Sequence, residues 1–324
     1  MAKLIGDLAP EDDYTHELGP EPNFNESMYF NFFDREQQIG GFVRLGNRAN
    51  EGRAEMTVTI YLPDGRVLFA FKRPEISHND AFDAGGLRFE VIEPTEVLRT
   101  LYSGRVLELA DPRAMKDPRH AFTQSPKRAL ELDLEHRAVG PMFGGRVNRS
   151  EQDRDAEQQF AKAHYEQHME VRGTLTVDGE AIPIEGFGLR DHSWGPRYWQ
   201  AIHSYEWLTL NFGADFGAMV SVIRREPGNE KAHGVVVRGD TLERVTDVKV
   251  STEYEDNGLY HRKVRAALTL ASGETLDIEG SVRGFIPLRN RREGRVTHIG
   301  EGMTEWRCEN RVGYGLSEFL RQVE

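Results

Sequence analysis

The chain has 324 residues, of which 38% are hydrophobic and 29% charged, and its formal net charge is -12. Such a length can bury one large core or two cores of ordinary domain size, and the composition is typical of a globular protein. The acidic balance argues against nucleic-acid phosphate or an anionic membrane as a partner. Cys308 is the single cysteine, so an intramolecular disulfide and a cysteine-based zinc site are excluded.

The beginning of the chain, MAKLIGDLAPEDDYTHELG, lacks the apolar segment of a secretory signal. No apolar run approaches the roughly 20 residues that a membrane span needs. We therefore expect a cytoplasmic protein without a membrane span. A dinucleotide fingerprint, a phosphate loop and a serine-hydrolase elbow are all missing, so the sequence predicts no nucleotide cofactor.

The dominant pattern is an alternation of apolar and polar residues. In RAEMTVTIYL, residues 53–62, the apolar side chains fall on every second position, which predicts a half-buried strand. The following PDGR predicts a tight turn into another strand. Similar turn chemistry recurs at 102–104, 177–179, 238–240 and 271–273. Turns flanked by strands in this way indicate an all-β antiparallel fold.

Helical signals are few. The clearest predicts a helix from about residue 150 to 168, where Ser150 and Asp153 resemble a capping box. Residues 111–127 are predicted to be a loop. We expect an N-terminal β-barrel domain over 1–148 and a linking helix with a C-terminal β-barrel domain over 149–324. A barrel of about eight strands can hold one small ligand, and which barrel, or their interface, does so is open.

The segment GFGLRDHSWGPRYW, residues 186–199, carries the densest chemistry. His192 can give and take a proton near neutral pH. Asp191 could orient that imidazole only if the strand ends or bulges there, because neighbours on a strand point to opposite faces. Trp194 could stabilise a developing cation. The alternative is a buried polar corner without catalytic function.

Two further stretches could line a pocket. In SYEWLTL, Tyr205 and Trp207 share one face, which would line a cavity or face solvent. The aromatic-rich FNESMYFNFFD fits a pocket wall or a structural core, with Asn25, Glu26 and Tyr29 as its polar candidates.

Histidines elsewhere gave weaker indications. His164 and His168 lie four residues apart on the predicted helix, a spacing that can bind zinc. The intervening residues do not follow the H-E-x-x-H order and no third ligand stands out, so we predict no metal. His136 continues an apolar series and is expected to point into the core.

The residues GLRDHSWG, 188–195, resemble the D-H-x-W-G signature of the carotenoid 1,2-hydratase (hydroxyneurosporene synthase) and AttH-like proteins. The closing GYGLSEF, 313–319, is similar to the final strands of that family. The resemblance implies two lipocalin-like barrels, a hydrophobic substrate, and a site at Asp191, His192 and Trp194. The family's Tyr-x-Asp element is absent, with Tyr205 as its nearest equivalent.

The sequence thus favours a cofactor-independent lyase or hydratase that acts on a terpenoid, steroid or polycyclic aromatic molecule. An isomerase or cyclase, or a carrier without catalysis, would use the same pocket, and a homodimer is left open. The predicted catalytic residues are His192, Asp191 and Tyr205, and the predicted substrate-binding residues are Trp194, Trp207, Arg190, Tyr29 and Asn25.

Overall fold

A computed structural model describes residues 2–146, 161–226, 228–292 and 294–323. Strands dominate this part of the chain. They are β1 (Leu4–Gly6), β2 (Phe24–Asp34), β3 (Ile39–Arg48), β4 (Arg53–Tyr61), β5 (Val67–Lys72), β6 (Asp83–Ala84), β7 (Leu87–Glu93), β8 (Val97–Leu109), β9 (Lys127–Ala138), β10 (Met142–Arg146), β11 (Ala163–Val177), β12 (Glu180–Pro196), β13 (Ser204–Asn211), β14 (Gly217–Glu226), β15 (Asn229–Arg238), β16 (Thr241–Tyr254), β17 (His261–Leu270), β18 (Thr275–Arg292), β19 (Arg295–Cys308) and β20 (Arg311–Val323). Helix α1 spans Pro118–Gln124, and short 3-10 turns cover Pro10–Asp13, Ala49–Glu51, Pro112–Lys116 and Trp199–Ala201.

The first sheet closes into a barrel. Its strands pair in the order β11-β12-β2-β3-β4-β5-β8-β9, and β9 pairs back onto β11. Strands β1 and β10 extend one part of this ring, while β6 and β7 extend another. All eight pairings around the ring are antiparallel, which is the arrangement that the hairpin turns predict.

The second sheet is a closed barrel of β13 to β20 in sequence order. Each strand pairs with the next, and β20 pairs back onto β13. Closure leaves no free edge in either ring, which removes the surfaces on which sheets aggregate. The predicted all-β fold of two lipocalin-like barrels is therefore confirmed.

Alternating side chains fill both barrels. On β4 the inward residues Ala54, Met56, Val58 and Ile60 are completely buried, as the period-two pattern predicts. The prediction that this strand is only half-buried was wrong, because the polar residues of its other face are buried as well. On β13, Leu208 and Leu210 point into the second barrel with the same result. Large clusters of buried apolar side chains pack inside both barrels.

Four of the five predicted turns are confirmed as strand connections, at 63–66, 177–179, 238–240 and 271–273. The fifth prediction was wrong, because residues 102–104 lie within β8. Gly104 leaves room there for the Tyr102 hydroxyl, which lies 2.7 Å from where a Cβ would be. This glycine serves side-chain packing rather than a turn.

The helix predicted over 150–168 is corrected where the structure describes it. Residues 163–168 begin strand β11, and the part before residue 161 lies outside the described residues. His164 and His168 therefore share one face of a strand and not of a helix. The α-helix of the described residues is α1, inside the segment that was predicted to be a loop.

Strands β11 and β12 join the first barrel, although they follow residue 148. The division of the chain at residue 148 stays a prediction. Pairing places Glu180–Pro196 against Phe24–Asp34, so the D-H-x-W-G element is a wall of the first barrel. Among the described residues, no helix combines the length and apolar character needed to cross a membrane.

Candidate functional site

The large cavity of the structure lies between the barrels. It has a volume of about 1300 Å³ and is lined by residues from β2 to β5 and β10 to β12 on one side and β13 to β15 and β18 to β20 on the other. The exterior faces of two sheets thus meet around it. This arrangement explains why every residue of β2 is buried, since one face packs inside its barrel and the other faces the second barrel.

The side of the cavity that the first barrel forms, here called the first wall, carries a row of cross-strand neighbours. Glu166 of β11 pairs with Asp191 of β12, which pairs with Tyr29 of β2, which pairs with Arg44 of β3. Neighbouring strands lie about 4.8 Å apart, so these side chains form a continuous polar stripe. His164 lies two residues before Glu166 and faces the same cavity.

The opposite wall has a matching row. Trp207 of β13 pairs with Glu318 of β20, which pairs with Glu301 of β19. Tyr205 lies beside Trp207 on the same face, and its hydroxyl donates to the Glu318 carboxylate. The sequence left open whether this face lines a cavity or faces solvent, and the position of both aromatic rings favours the cavity.

The two walls are joined by contacts at their aromatic residues. The Trp207 indole N–H donates to Glu166 Oε1 at 2.7 Å. The Trp207 ring also meets the edge of Tyr29, with centroids 5.3 Å apart. Aromatic faces in such a cavity can hold an apolar ligand and stabilise positive charge on it.

Three ionisable groups converge on the first wall. His164 forms an ion pair with Asp191, and its Nε2 lies 3.6 Å from Glu166 Oε1. Burial alone would lower the pKa of His164, but the Asp191 charge outweighs it and raises the pKa to about 9. Burial raises the pKa of Glu166 to about 7, against the opposing charge of His164. At neutral pH, Glu166 can therefore carry or release a proton.

The carboxyls of the opposite wall are also shifted. Burial raises the pKa of Glu301 to about 8 and that of Glu318 to about 7, although the Arg44 charge opposes both shifts. Glu166 Oε2 and Glu301 Oε2 have no hydrogen-bond partner among the described residues. Buried carboxyls that lack partners for one oxygen favour their neutral, protonated form.

His192 lies on the other face of β12. Strand β12 continues to Pro196 without ending at this point, so Asp191 and His192 point in opposite directions and do not pair. The buried His192 ring contacts Glu26 Oε1 through Nε2 at 2.9 Å and Tyr165 through Nδ1 at 3.3 Å. It does not line the cavity between the barrels. Its position gives no support to proton exchange with a ligand there.

Glu26 is the centre of that internal network. His16 Nδ1 lies 2.6 Å from Glu26 Oε1, and Asn79 donates to Oε2 at 2.5 Å. Burial would raise the pKa of Glu26, but hydrogen bonds from His16 and His192 lower it to about 2. The network satisfies a buried charge, which is the structural alternative considered from the sequence.

Other predicted site residues also lie away from the cavity. Arg190 is buried inside the first barrel and pairs with Asp13 at 2.5 Å. Trp194 stacks on His16 with centroids 3.8 Å apart. Asn25 is buried at the beginning of β2, and its side chain has no hydrogen-bond partner among the described residues. None of the three lines the cavity. Asp191, Tyr205, Trp207 and Tyr29 do line it.

Several ionisable cavity residues were not among the predicted site residues, and those that the site depends on most are His164, Glu166, Arg44, Glu301 and Glu318. Because residues 150–168 were interpreted as a helix, His164 and Glu166 were not recognised as neighbours on one face of a strand. In AHYEQHM, residues 163–169, His164 and Glu166 fall on alternate positions, and this strand pattern was the available signal. Asp191, the third member of this group, lies beside His164 only because strands β11 and β12 pair.

Among the residues that the structure describes, two sets of side chains have donor atoms close enough to hold a metal ion. Each set has its candidate ligand atoms within 4.8 Å of one another: His16, Glu26 and His192, and His164, Glu166 and Asp191. The first is engaged in the internal network. The second borders the cavity, so it has room for a ligand beside an ion.

The fold and the cavity define a class of protein: a tandem of lipocalin-like barrels with an ionisable, aromatic-lined cavity between them. The chain belongs to the family described as Domain of unknown function (DUF7064), whose model matches residues 9–323. No curated protein sequence matches the chain.

Solved structures share the fold over nearly the whole chain. An AttH from Nitrosomonas europaea is 15% identical, with a TM-score of 0.62, covering 98% of this chain and 99% of that one. CghA with Sch210972 is 14% identical with a TM-score of 0.56, covering 99% and 97%. Kievitone hydratase from Nectria haematococca is 12% identical with a TM-score of 0.57, covering 99% and 96%. The predicted AttH-like double-barrel fold is confirmed.

Proposed function

We propose that the protein is a lyase of the hydratase type that acts on a hydrophobic small molecule in the cavity between the barrels. The observation that carries this proposal is the convergence of His164, Glu166 and Asp191 on the wall of an aromatic-lined cavity of about 1300 Å³. A cavity of this size accommodates a molecule of terpenoid or steroid dimensions. The hydratase among the structures of the same fold agrees with this reaction class.

Glu166 is the proton-transfer residue in this proposal. Its neutral carboxyl gives a proton to one carbon of a substrate double bond, while a water oxygen bonds to the other carbon. A proton of that water then returns to the carboxylate, so atoms and charge balance. The pKa of Glu166, raised by burial to about 7, suits both halves of this cycle at neutral pH.

Asp191 and His164 have supporting roles in the same step. Their ion pair holds a positive imidazolium beside Glu166, where it stabilises the carboxylate that forms when the proton leaves. Trp207 and Tyr29 present aromatic surfaces to the carbon that becomes positive. His192 is assigned a positioning role, since its hydrogen bond to Glu26 anchors the strand that carries Asp191.

An isotope experiment tests the reaction class. Small molecules extracted from the purified protein are identified by mass spectrometry and incubated with fresh protein in deuterium oxide or in water labelled with heavy oxygen. A hydratase incorporates both isotopes, an isomerase or cyclase incorporates at most deuterium, and a carrier incorporates neither. We expect both labels with the wild-type protein and, for Glu166→Gln, a loss of about 10²-fold or more in rate.

Matched variants assign the step within the site. Asp191→Asn should slow labelling because it removes the charge that holds His164 protonated. Arg190→Lys lies next in sequence but points into the first barrel, so a properly folded variant should label at the wild-type rate. The experiment is repeated with a chelator, because the same three cavity residues could bind a metal. Labelling that persists in Glu166→Gln would contradict the proposed role.

A further inference from the structure

The cavity carries charge of the opposite sign to the whole molecule. Ten of its lining residues are Lys or Arg and six are Asp or Glu. In the complete chain, acidic residues exceed basic ones by 53 to 41. Burial also raises the pKa values of Glu301 and Glu318 to about 8 and 7, so these two acids carry only part of their full negative charge near neutral pH.

Part of the excess of basic residues in the cavity lining lies at one mouth of the cavity. Lys116 is the last residue of the 3-10 turn Pro112–Lys116, Arg119 lies at the start of α1, and Arg289 lies on β18. The turn packs on that strand, with Met115 and Ile286 in one buried cluster. The three cationic side chains therefore border the same opening, and all three residues are exposed.

These cations are available to a ligand. Among the residues that the structure describes, Lys116, Arg119 and Arg289 form no ion pair with a carboxylate. Asp117 also lines this end, but it caps the following helix by accepting the His120 N–H at 3.3 Å. Elsewhere on the surface arginines are commonly paired, as Arg99 is with Asp133 at 2.6 Å.

Apolar side chains lie beside the cationic ones. Phe122 on α1 is 37% exposed and lines the cavity together with Phe71 and Leu288. An opening that presents unpaired cations next to apolar surface matches a molecule with an apolar body and an anionic head. A neutral terpene or steroid would leave the cations without any partner.

We propose that the ligand of this cavity is an amphipathic anion whose head group binds Lys116, Arg119 and Arg289 at the mouth. This proposal deepens the proposed function, because it rests on the same cavity and names the substrate class. Arg289 lies three residues along β18 from Ile286, the partner of Glu301. At the rise of a β-strand this separates the head group from the inner carboxyls by about 10 Å.

Two fluorescent probes of the same aromatic shape test the proposal. Anilinonaphthalene sulfonate carries an anionic group, and N-phenylnaphthylamine does not. We expect the sulfonate to bind more tightly to the wild-type protein. The variant Lys116→Gln/Arg119→Gln/Arg289→Gln should bind the sulfonate about tenfold more weakly, the size expected for three exposed ion pairs together. Binding of the neutral probe should not change.

A charge-matched control separates local binding from the general field of the protein. Arg35, Lys127 and Arg244 are exposed cations that do not line the cavity. The variant Arg35→Gln/Lys127→Gln/Arg244→Gln loses the same charge, and we expect it to bind both probes as the wild type does. An equal loss of sulfonate binding in both triple variants would overturn the proposal.

Displacement of the sulfonate probe identifies the head group. Dodecanoate, dodecyl phosphate and dodecanol share one chain and differ in the head. Displacement by either anion at concentrations where the alcohol is inactive supports the proposal, and the stronger of the two indicates a carboxylate or a phosphate ligand. Equal displacement by all three would overturn it.

The outcomes distinguish this proposal from the proposed function. Trp207→Ala should weaken both probes, because its indole lines the cavity. If neither probe depends on Trp207, the cavity is not the ligand site and both proposals fail. If binding of the neutral probe depends on Trp207 but the sulfonate probe binds no more tightly than the neutral one, only the proposal of an anionic head group is refuted. The isotope experiment then still tests the proposed hydratase reaction.

Discussion

Glu301 shows how a single buried carboxyl can set the pH response of this protein. It is 5% exposed, and burial raises its pKa to about 8, against the charge of Arg44. The ordinary value for a glutamate is 4.5. Between these two values the folded protein keeps a proton that the unfolded chain releases. The free energy of unfolding must therefore fall as the pH rises through this window.

Replacing the carboxyl by an amide should remove this pH dependence. We expect Glu301→Gln to match the wild type near pH 5 and, at about pH 9, to have a free energy of unfolding higher by on the order of 2 kcal/mol. Urea unfolding at both pH values measures the difference. Glu131→Gln, at an exposed site on β9, should change stability at neither pH. A variant less stable than the wild type at high pH would contradict the assignment.

The alternation of side chains along β12 explains why Asp191 and His192, both predicted to be catalytic, do not lie in the same site. Asp191 and His192 are adjacent in sequence, yet they serve different environments because β12 remains a regular strand. Asp191 faces His164 at the cavity, while His192 faces Glu26 inside the barrel. The D-H-x-W-G element therefore contributes one residue to the candidate site in the cavity and another to the hydrogen-bond network inside the first barrel.

Strand β2 is one of the elements that connect the two barrels. Its inner face packs in the first barrel, and Asn31 on its outer face donates to Thr209 Oγ1 of β13 at 3.1 Å. Asn31 Oδ1 also accepts the Leu189 N–H of β12 at 3.0 Å. One buried amide therefore joins three strands from both barrels, which gives the interface a fixed register.

Removing that amide should loosen the interface. We expect Asn31→Ala to lower the free energy of unfolding by about 1–3 kcal/mol, because the Leu189 N–H is left buried without a partner. Chemical denaturation measures the loss, and Gln37→Ala, in the exposed turn after β2, provides the control. A loss no larger than that of the control would mean that water replaces the amide.

Gly188 of β12 allows this strand to lie close to the backbone of β2. A Cβ at Gly188 would lie 1.8 Å from the Asn31 carbonyl oxygen. The residue therefore permits the close approach of β12 and β2, with a second backbone rather than a ligand as the neighbour.

At the scale of the whole molecule, the free space lies between two packed barrels. Ser221 and Val220 are adjacent on β14, and substitutions at these two positions test where the free space lies. Ser221 lines the cavity, whereas Val220 is completely buried in the core of the second barrel. An added indole has room at the first position and none at the second.

We expect Ser221→Trp to keep stability within about 0.5 kcal/mol of the wild type while weakening binding of N-phenylnaphthylamine, since the indole occupies ligand space. Val220→Trp should destabilise the protein by at least about 1–3 kcal/mol through overpacking. Thermal unfolding and probe titration of both variants provide the comparison. The reverse order of stabilities would place the free space inside the barrel.

The sequence by itself determined that the chain is all-β and forms two barrels, because alternation and turn chemistry are local properties. The segment 53–62 and its PDGR turn show this most clearly. The resemblance of GLRDHSWG to the AttH-like signature also located the wall on which Asp191 lies. The alternation in SYEWLTL also placed Tyr205 and Trp207 on one face of a strand, but it left open whether that face meets a cavity or solvent.

Only the tertiary structure decided where the cavity lies and which charges meet in it. His164 and Asp191 are far apart in sequence, and strand pairing between β11 and β12 brings them together. Glu301 and Glu318 come from the other barrel and reach the same cavity through the packing of two sheet exteriors. Local patterns fix the two faces of a strand, but closure and docking determine which face meets a core and which a ligand.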